Sequence, residues 1–82
     1  MESNNILTLD KAEIGINYYI YSLDGFDRNQ MNRLYDFGLV KGAKIKLVFK
    51  SIFGGTSAYL VKGSVLSLRD EDSGNITVTC RR

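Results

Sequence analysis

The densest run of cation-ligating side chains is Asp70-Glu71-Asp72, and the only thiol is Cys80. Three consecutive carboxylates offer oxygen ligands to a hard cation. They lack the alternating ligand spacing of a calcium loop, and a solvated turn accounts for them. The chain has no histidine, so it lacks the usual general base near neutral pH and the commonest transition-metal ligand. One cysteine can form neither an intrachain disulfide nor a cysteine–histidine zinc site within one chain. The alternation of Ile76, Val78 and Cys80 puts the thiol on the inner face of the last strand, as a packing group. Asp24, Asp27 and Asp36 flank or occupy a helix, where capping and surface roles account for them. No catalytic residue, metal ligand or cofactor is assigned, and the chain is read as a non-enzyme.

Glycines and lysines allow two further tests. In "GLVKGAK", residues 38–44, Lys44 follows Gly42 by two positions. A phosphate loop needs G-x-x-x-x-G-K-[ST] opening a helix, whereas this stretch follows a helix and leads into a strand. Nucleotide binding is therefore rejected. Lys41, Lys44, Lys46, Lys50 and Lys62 suggest a basic stripe, and Tyr18, Tyr19, Tyr21, Tyr35 and Tyr59 supply rings for base stacking. Eleven basic and nine acidic residues leave a net charge of only +2, which is not a nucleic-acid footprint. A solvated strand face explains the lysines.

These residues must be positioned by short elements. The 82 residues are read as one domain, 1–82, with the polar "MESNN" of residues 1–5 disordered. A chain this short buries only about 60 % of its unfolded surface, so the core is thin. "GINYYIYSL", 15–23, reads as a strand. "DRNQMNRLYDFG", 27–38, reads as a helix capped by Asp27 with Gln30 reaching back, burying Met31, Leu34 and Phe37, and ending on Gly38. In "AKIKLVFK", 43–50, Ala43, Ile45, Leu47 and Phe49 point one way and the lysines the other. "AYLVK", 58–62, and "SVLSLR", 64–69, are strands with Gly63 as a bend between them. "RDEDSGN" is a turn, and "ITVTC", 76–80, is the last strand. The fold class is mainly β with one short α-helix: a small bent antiparallel β-barrel of about five strands. Leu66 and Leu68 fill it, and Gly54 and Gly55 shape a loop. No apolar run approaches the ~20 residues of a membrane helix, and the amino terminus lacks a signal-peptide pattern. A cytoplasmic protein is expected.

"MNRLYDFGLVKGAKIKLV" followed by "FGGTSAYLVKGSVLSLRDEDSGNITV" resembles the ferrous iron transport protein A (FeoA) family. Arg33, Leu34, Asp36, Gly38, Leu39 and Gly42 stand at one set of the family's positions. Gly54, Gly63, Leu66, Leu68 and Arg69 stand at a second set. Where the family usually writes P-x-G-D-P, this chain has Ile52, Phe53, Gly54, Gly55 and Thr56, so both proline-fixed φ values are lost. The resemblance implies an SH3-like barrel and a cytoplasmic accessory role in bacterial ferrous iron uptake and iron homeostasis. It also implies a partner, the membrane permease FeoB, contacted through its cytoplasmic GTP-binding domain or its membrane part.

The expected contact set is Phe26 and Arg28 at the helix start, Phe53, Gly54, Gly55 and Thr56 in the loop, and Tyr19 and Tyr21. Leu34, Gly38, Gly42, Gly63, Leu66 and Leu68 are structural. Neither nucleic acid nor direct membrane insertion is expected, and the chain is read as a monomer or weakly self-associating. The alternative readings are a small-barrel nucleic-acid or ribosome-associated module, and an iron-binding chaperone limited to oxygen ligands.

Overall fold

Apolar alternation broken by glycine turns yields six strands in the computed structural model, which describes residues 6–80. They are β1 (Ile6–Thr8), β2 (Asn17–Leu23), β3 (Lys44–Lys50), β4 (Thr56–Val61), β5 (Ser64–Arg69) and β6 (Ile76–Thr79). All pair antiparallel in the order β1-β6-β2-β3-β4-β5. The sheet is not closed: β1 and β5 are its edges. Helix α1 (Arg28–Asp36) joins β2 to β3, and one helical turn, α2 (Asp70–Ser73), joins β5 to β6. The expectation for residues 1–5 lies outside the described residues.

One face of the sheet is the core. Tyr18, Ile20, Ile45, Leu47, Tyr59, Val61, Leu66, Leu68, Ile76 and Val78 are buried with Leu9, Ala12, Leu34 and Leu39. Full burial of such a side chain is worth about 1.5–3 kcal/mol, which orders the short strands that carry them.

Local chemistry sets both ends of α1. The Gln30 N–H donates to Asp27 Oδ1 (2.8 Å) and the Asp27 N–H donates to Gln30 Oε1 (2.9 Å), a complete capping box. At the other end Gly38, at φ +92°, donates to the Tyr35 carbonyl (2.9 Å) and Leu39 donates to that of Leu34 (2.9 Å). This is a Schellman closure, with Leu39 and Leu34 as its buried apolar pair.

Several expectations are corrected. A sixth strand, β1, exists because three residues pair with β6 at long range, a contact no local pattern announces. "RDEDSGN" is not a simple turn but contains the helical turn α2. Gly63 does not bend a strand at a corner: with Lys62 at φ +51° and Gly63 at φ +82°, it completes a two-residue hairpin turn between the paired Val61 and Ser64. Phe49 leaves the core face and is 61 % exposed, because Val48 is an extra residue between the pairs Leu47–Tyr59 and Phe49–Ala58. Phe37 is exposed, since the helix stops at Asp36 and Phe37 is its cap, and Met31 is only half-buried. Cys80 is exposed, because β6 ends at Thr79 and the alternation that buries Ile76 and Val78 stops there.

Gly38 is also where a Cβ would stand 2.8 Å from Lys62 Cδ. The lysine stem is flexible and can yield, so the left-handed backbone dominates the cost. Gly38→Ala is expected to destabilise the fold by about 1–2 kcal/mol. Thermal denaturation should show this as a fall in midpoint of roughly 5–15 °C.

Candidate functional site

The β3–β4 hairpin ends in a loop, Ser51 to Gly55, whose tip is apolar. Ile52 is 90 % exposed and Phe53 is 95 % exposed. The loop closes on itself: the Ser51 N–H donates to the Thr56 carbonyl (3.2 Å), the Gly54 N–H to the Ser51 carbonyl (3.1 Å), and the Phe53 N–H to Ser51 Oγ (3.3 Å).

A second set of bonds ties it to the far end of β5. The Asp70 N–H donates to the Gly55 carbonyl (2.9 Å), and the Gly55 N–H donates to Asp70 Oδ2 (3.0 Å). Ser57 Oγ donates to Asp70 Oδ1 at 3.5 Å. Asp70 therefore braces a loop that has no proline of its own. Sequence reading put Asp70 in a solvated acidic turn and missed this role. The available signal was an Asx-type residue opening a short helix fifteen positions from a Gly-Gly pair, which is too weak to identify the bond.

Asp70 is in turn held by α2. Ser73, fully buried, shares a 3.0 Å hydroxyl–hydroxyl hydrogen bond with Tyr59 on β4. Burial pushes the Tyr59 phenol above its ordinary value. The Ser73 and Ser57 hydrogen bonds oppose the shift, and the carboxylates of Asp70 and Asp10 add to it. The phenol stays neutral and works as a strut. Arg69 forms surface ion pairs with Glu71 (3.5 Å) and Asp72 (3.6 Å).

Beside β5 a groove of about 250 Å³ separates the strand from α1. Phe26, Leu34 and Phe37 line one wall, Leu66 and Leu68 the other, and Arg33 and Arg69 stand among its polar residues. Of the eight expected contact residues, Phe26 alone lines this groove. Arg28 is exposed at the start of α1. Phe53, Gly54, Gly55 and Thr56 belong to the braced loop and the first position of β4. Tyr19, half-buried, and Tyr21 lie on β2, which stands three places from β5 in the sheet. Tyr21 is the extra residue of a bulge between the pairs Ile20–Val78 and Ser22–Thr77, and Lys41 Nζ sits 5.9 Å from its ring centre. The structure does not bring the tyrosines into one surface with the groove.

Of the five lysines, Lys44, Lys46 and Lys62 meet around a hollow of about 290 Å³ that Asn17, Leu60 and Gly63 complete. Among the described residues, no three His, Cys, Asp or Glu side chains group so as to hold a metal ion. Also among them, no helix is long and apolar enough to cross a membrane.

The FeoA domain family model matches residues 7–80. No curated protein matches the sequence. Among solved structures, the FeoA protein from Chlorobium tepidum is 26 % identical, with a TM-score of 0.84 over 93 % of this chain and 71 % of that one. The FeoA of Stenotrophomonas maltophilia, complexed with zinc and described as a prokaryotic SH3 domain protein, is 23 % identical, with a TM-score of 0.74 over 88 % of each chain. A manganese-dependent transcriptional repressor shares the fold at 11 % identity and a TM-score of 0.81, over 96 % of this chain but 44 % of its own.

Tyr59→Phe removes the strut and leaves the Ser73 hydroxyl buried without its partner, at a cost of about 1–3 kcal/mol. The raised phenol also sets a pH limit. Because the folded state holds the proton more tightly, its contribution is complete below pH 10 and is lost as pH rises through the folded value. Chemical denaturation across pH 8–12 should show wild-type stability falling above pH 10. The fall should be shallower in Tyr59→Phe.

Proposed function

Because the chain belongs to the FeoA family, we propose that it is an accessory protein of ferrous iron transport that docks in the cytoplasm on the membrane permease FeoB. One observation carries the docking reading: the braced loop that holds Ile52 and Phe53 in water. Two large apolar side chains at a hairpin tip contribute nothing to this chain's own core. Transferred to a partner pocket, each is worth about 1.5–3 kcal/mol. An aromatic anchor in a desolvated pocket is the kind of contact that dominates interface energies. The Asp70 bonds fix the loop beforehand, which lowers the ordering cost of binding.

The role is modulation by contact, without a reaction on this chain. The nucleic-acid alternative has less support. The lysine-lined hollow offers positive charge but no aromatic ring among its lining residues, and stacking is what holds single-stranded bases.

The test is a titration of ¹⁵N-labelled protein with the GTP-binding domain of the permease from the same organism. Amide shifts or broadening should centre on Ile52 to Gly55. The double variant Ile52→Ser, Phe53→Ser should bind at least about tenfold more weakly while melting like the wild type. A titration with no change, with and without nucleotide, would remove that domain as the partner. Binding to RNA or DNA that weakens steeply with salt would restore the alternative.

A further inference from the structure

The geometry points to a second docking surface: the free edge of β5, with the groove beside it, takes an extended segment of another protein as a seventh strand. It deepens the docking reading but rests on different residues.

The ladder between β4 and β5 runs without a bulge from the pair Val61–Ser64 to the pair Thr56–Arg69. The Asp70 N–H then donates to the Gly55 carbonyl at 2.9 Å, which continues the ladder one pair further. In an antiparallel ladder hydrogen-bonded and open pairs alternate. The backbones of Ser64, Leu66, Leu68 and Asp70 therefore face β4. The N–H groups of Val65, Ser67 and Arg69, and the carbonyls of Val65 and Ser67, face outward, where among the described residues no strand pairs with them.

Long, regular edges of this kind are normally blunted by proline, a bulge, an inward charge or brevity. β5 has six residues, no proline, no bulge, and a single charge at its end. Two of its three apolar side chains, Leu66 and Leu68, form one wall of the groove, and Phe26, Leu34 and Phe37 form the other, while Val65 points to solvent.

These features specify the occupant. The unpaired backbone groups require an extended chain. The groove requires apolar side chains at alternate positions, the ones that would point between β5 and α1. Arg33 on the groove wall favours a carboxylate flanking them. The space of about 250 Å³ suits the side chains of one extended segment. A second copy of this chain would bring α1 together with its own β5, and the two helices would compete for that space.

The probe is the capped peptide Ac-EVTVTV-NH2, with its fully N-methylated counterpart as control. The counterpart keeps the side chains and loses every N–H donor. In the free protein the amides of Val65, Ser67 and Arg69 should exchange quickly and those of Leu66 and Leu68 slowly. At saturating peptide, exchange at the first three should slow by about tenfold, with amide shifts confined to the same alternate positions. The N-methylated peptide should do neither. Ser67→Pro, which removes one outward donor, should abolish the response. Should that variant fail to fold, the N-methylated control carries the same comparison. Four outcomes overturn the proposal: outward amides already protected in the free protein, whether by this chain or by a second copy; no protection or shift at high peptide concentration; shifts without the alternation; or equal binding of the N-methylated peptide. None of these depends on whether the permease binds.

Discussion

The hydrogen bond between the Tyr59 and Ser73 hydroxyls, both in the dry interior, is the contact on which the braced loop depends. A four-residue helical turn has no stability of its own, because nucleating a helix costs more than one turn returns. Pinned through Ser73 to the central part of β4, α2 can start at one place only. That start sets Asp70, whose N–H and carboxylate then take both backbone groups of Gly55. The order of cause is core to turn, turn to carboxylate, carboxylate to loop.

The two surfaces adjoin through this brace. Thr56 pairs with Arg69, so the loop departs from the sheet where the groove beside β5 ends, and Arg69 and Asp72 line that end of the groove. An extended segment laid on β5 would run toward Ile52 and Phe53. A partner that uses both meets a backbone edge that sets direction and an apolar tip that adds affinity. The tyrosines of β2 lie outside that surface, and the Tyr21 bulge turns its ring to Lys41 instead.

What the sequence made legible was mostly what local chemistry decides. The Asp27–Gln30 capping box, the Gly38 closure and the alternation of Ile45 and Leu47 depend on residues within a few positions of one another. The bulges at Tyr21 and Val48 do not, since each arises from the register a distant strand imposes, and so the exposure of Phe49 was not legible. Glycine at 63 marks a break, but its place in a hairpin turn depends on Lys62 also taking a left-handed conformation, which no residue preference announces. Alternation alone puts Cys80 inside, because it says nothing about where a strand stops. The brace on the loop is hidden in the sequence: Asp70 reads as one acid among three until the fold sets it against Gly55.

The position of β6 between β1 and β2 has a consequence for how the chain reaches this structure. β3, β4 and β5 are neighbours in sequence and form a meander closed by short turns, whereas β1 meets β6 only when residues 6–8 reach residues 77–79. Closing that loop costs entropy before any contact repays it. The meander can therefore assemble while the opposite edge of the sheet is still open, and β2 waits with one side unpaired until β6 arrives. On a ribosome, the strand that completes the sheet emerges after the strands it must join. During that interval the edge of β2, like that of β5, is open to pairing with the wrong neighbour.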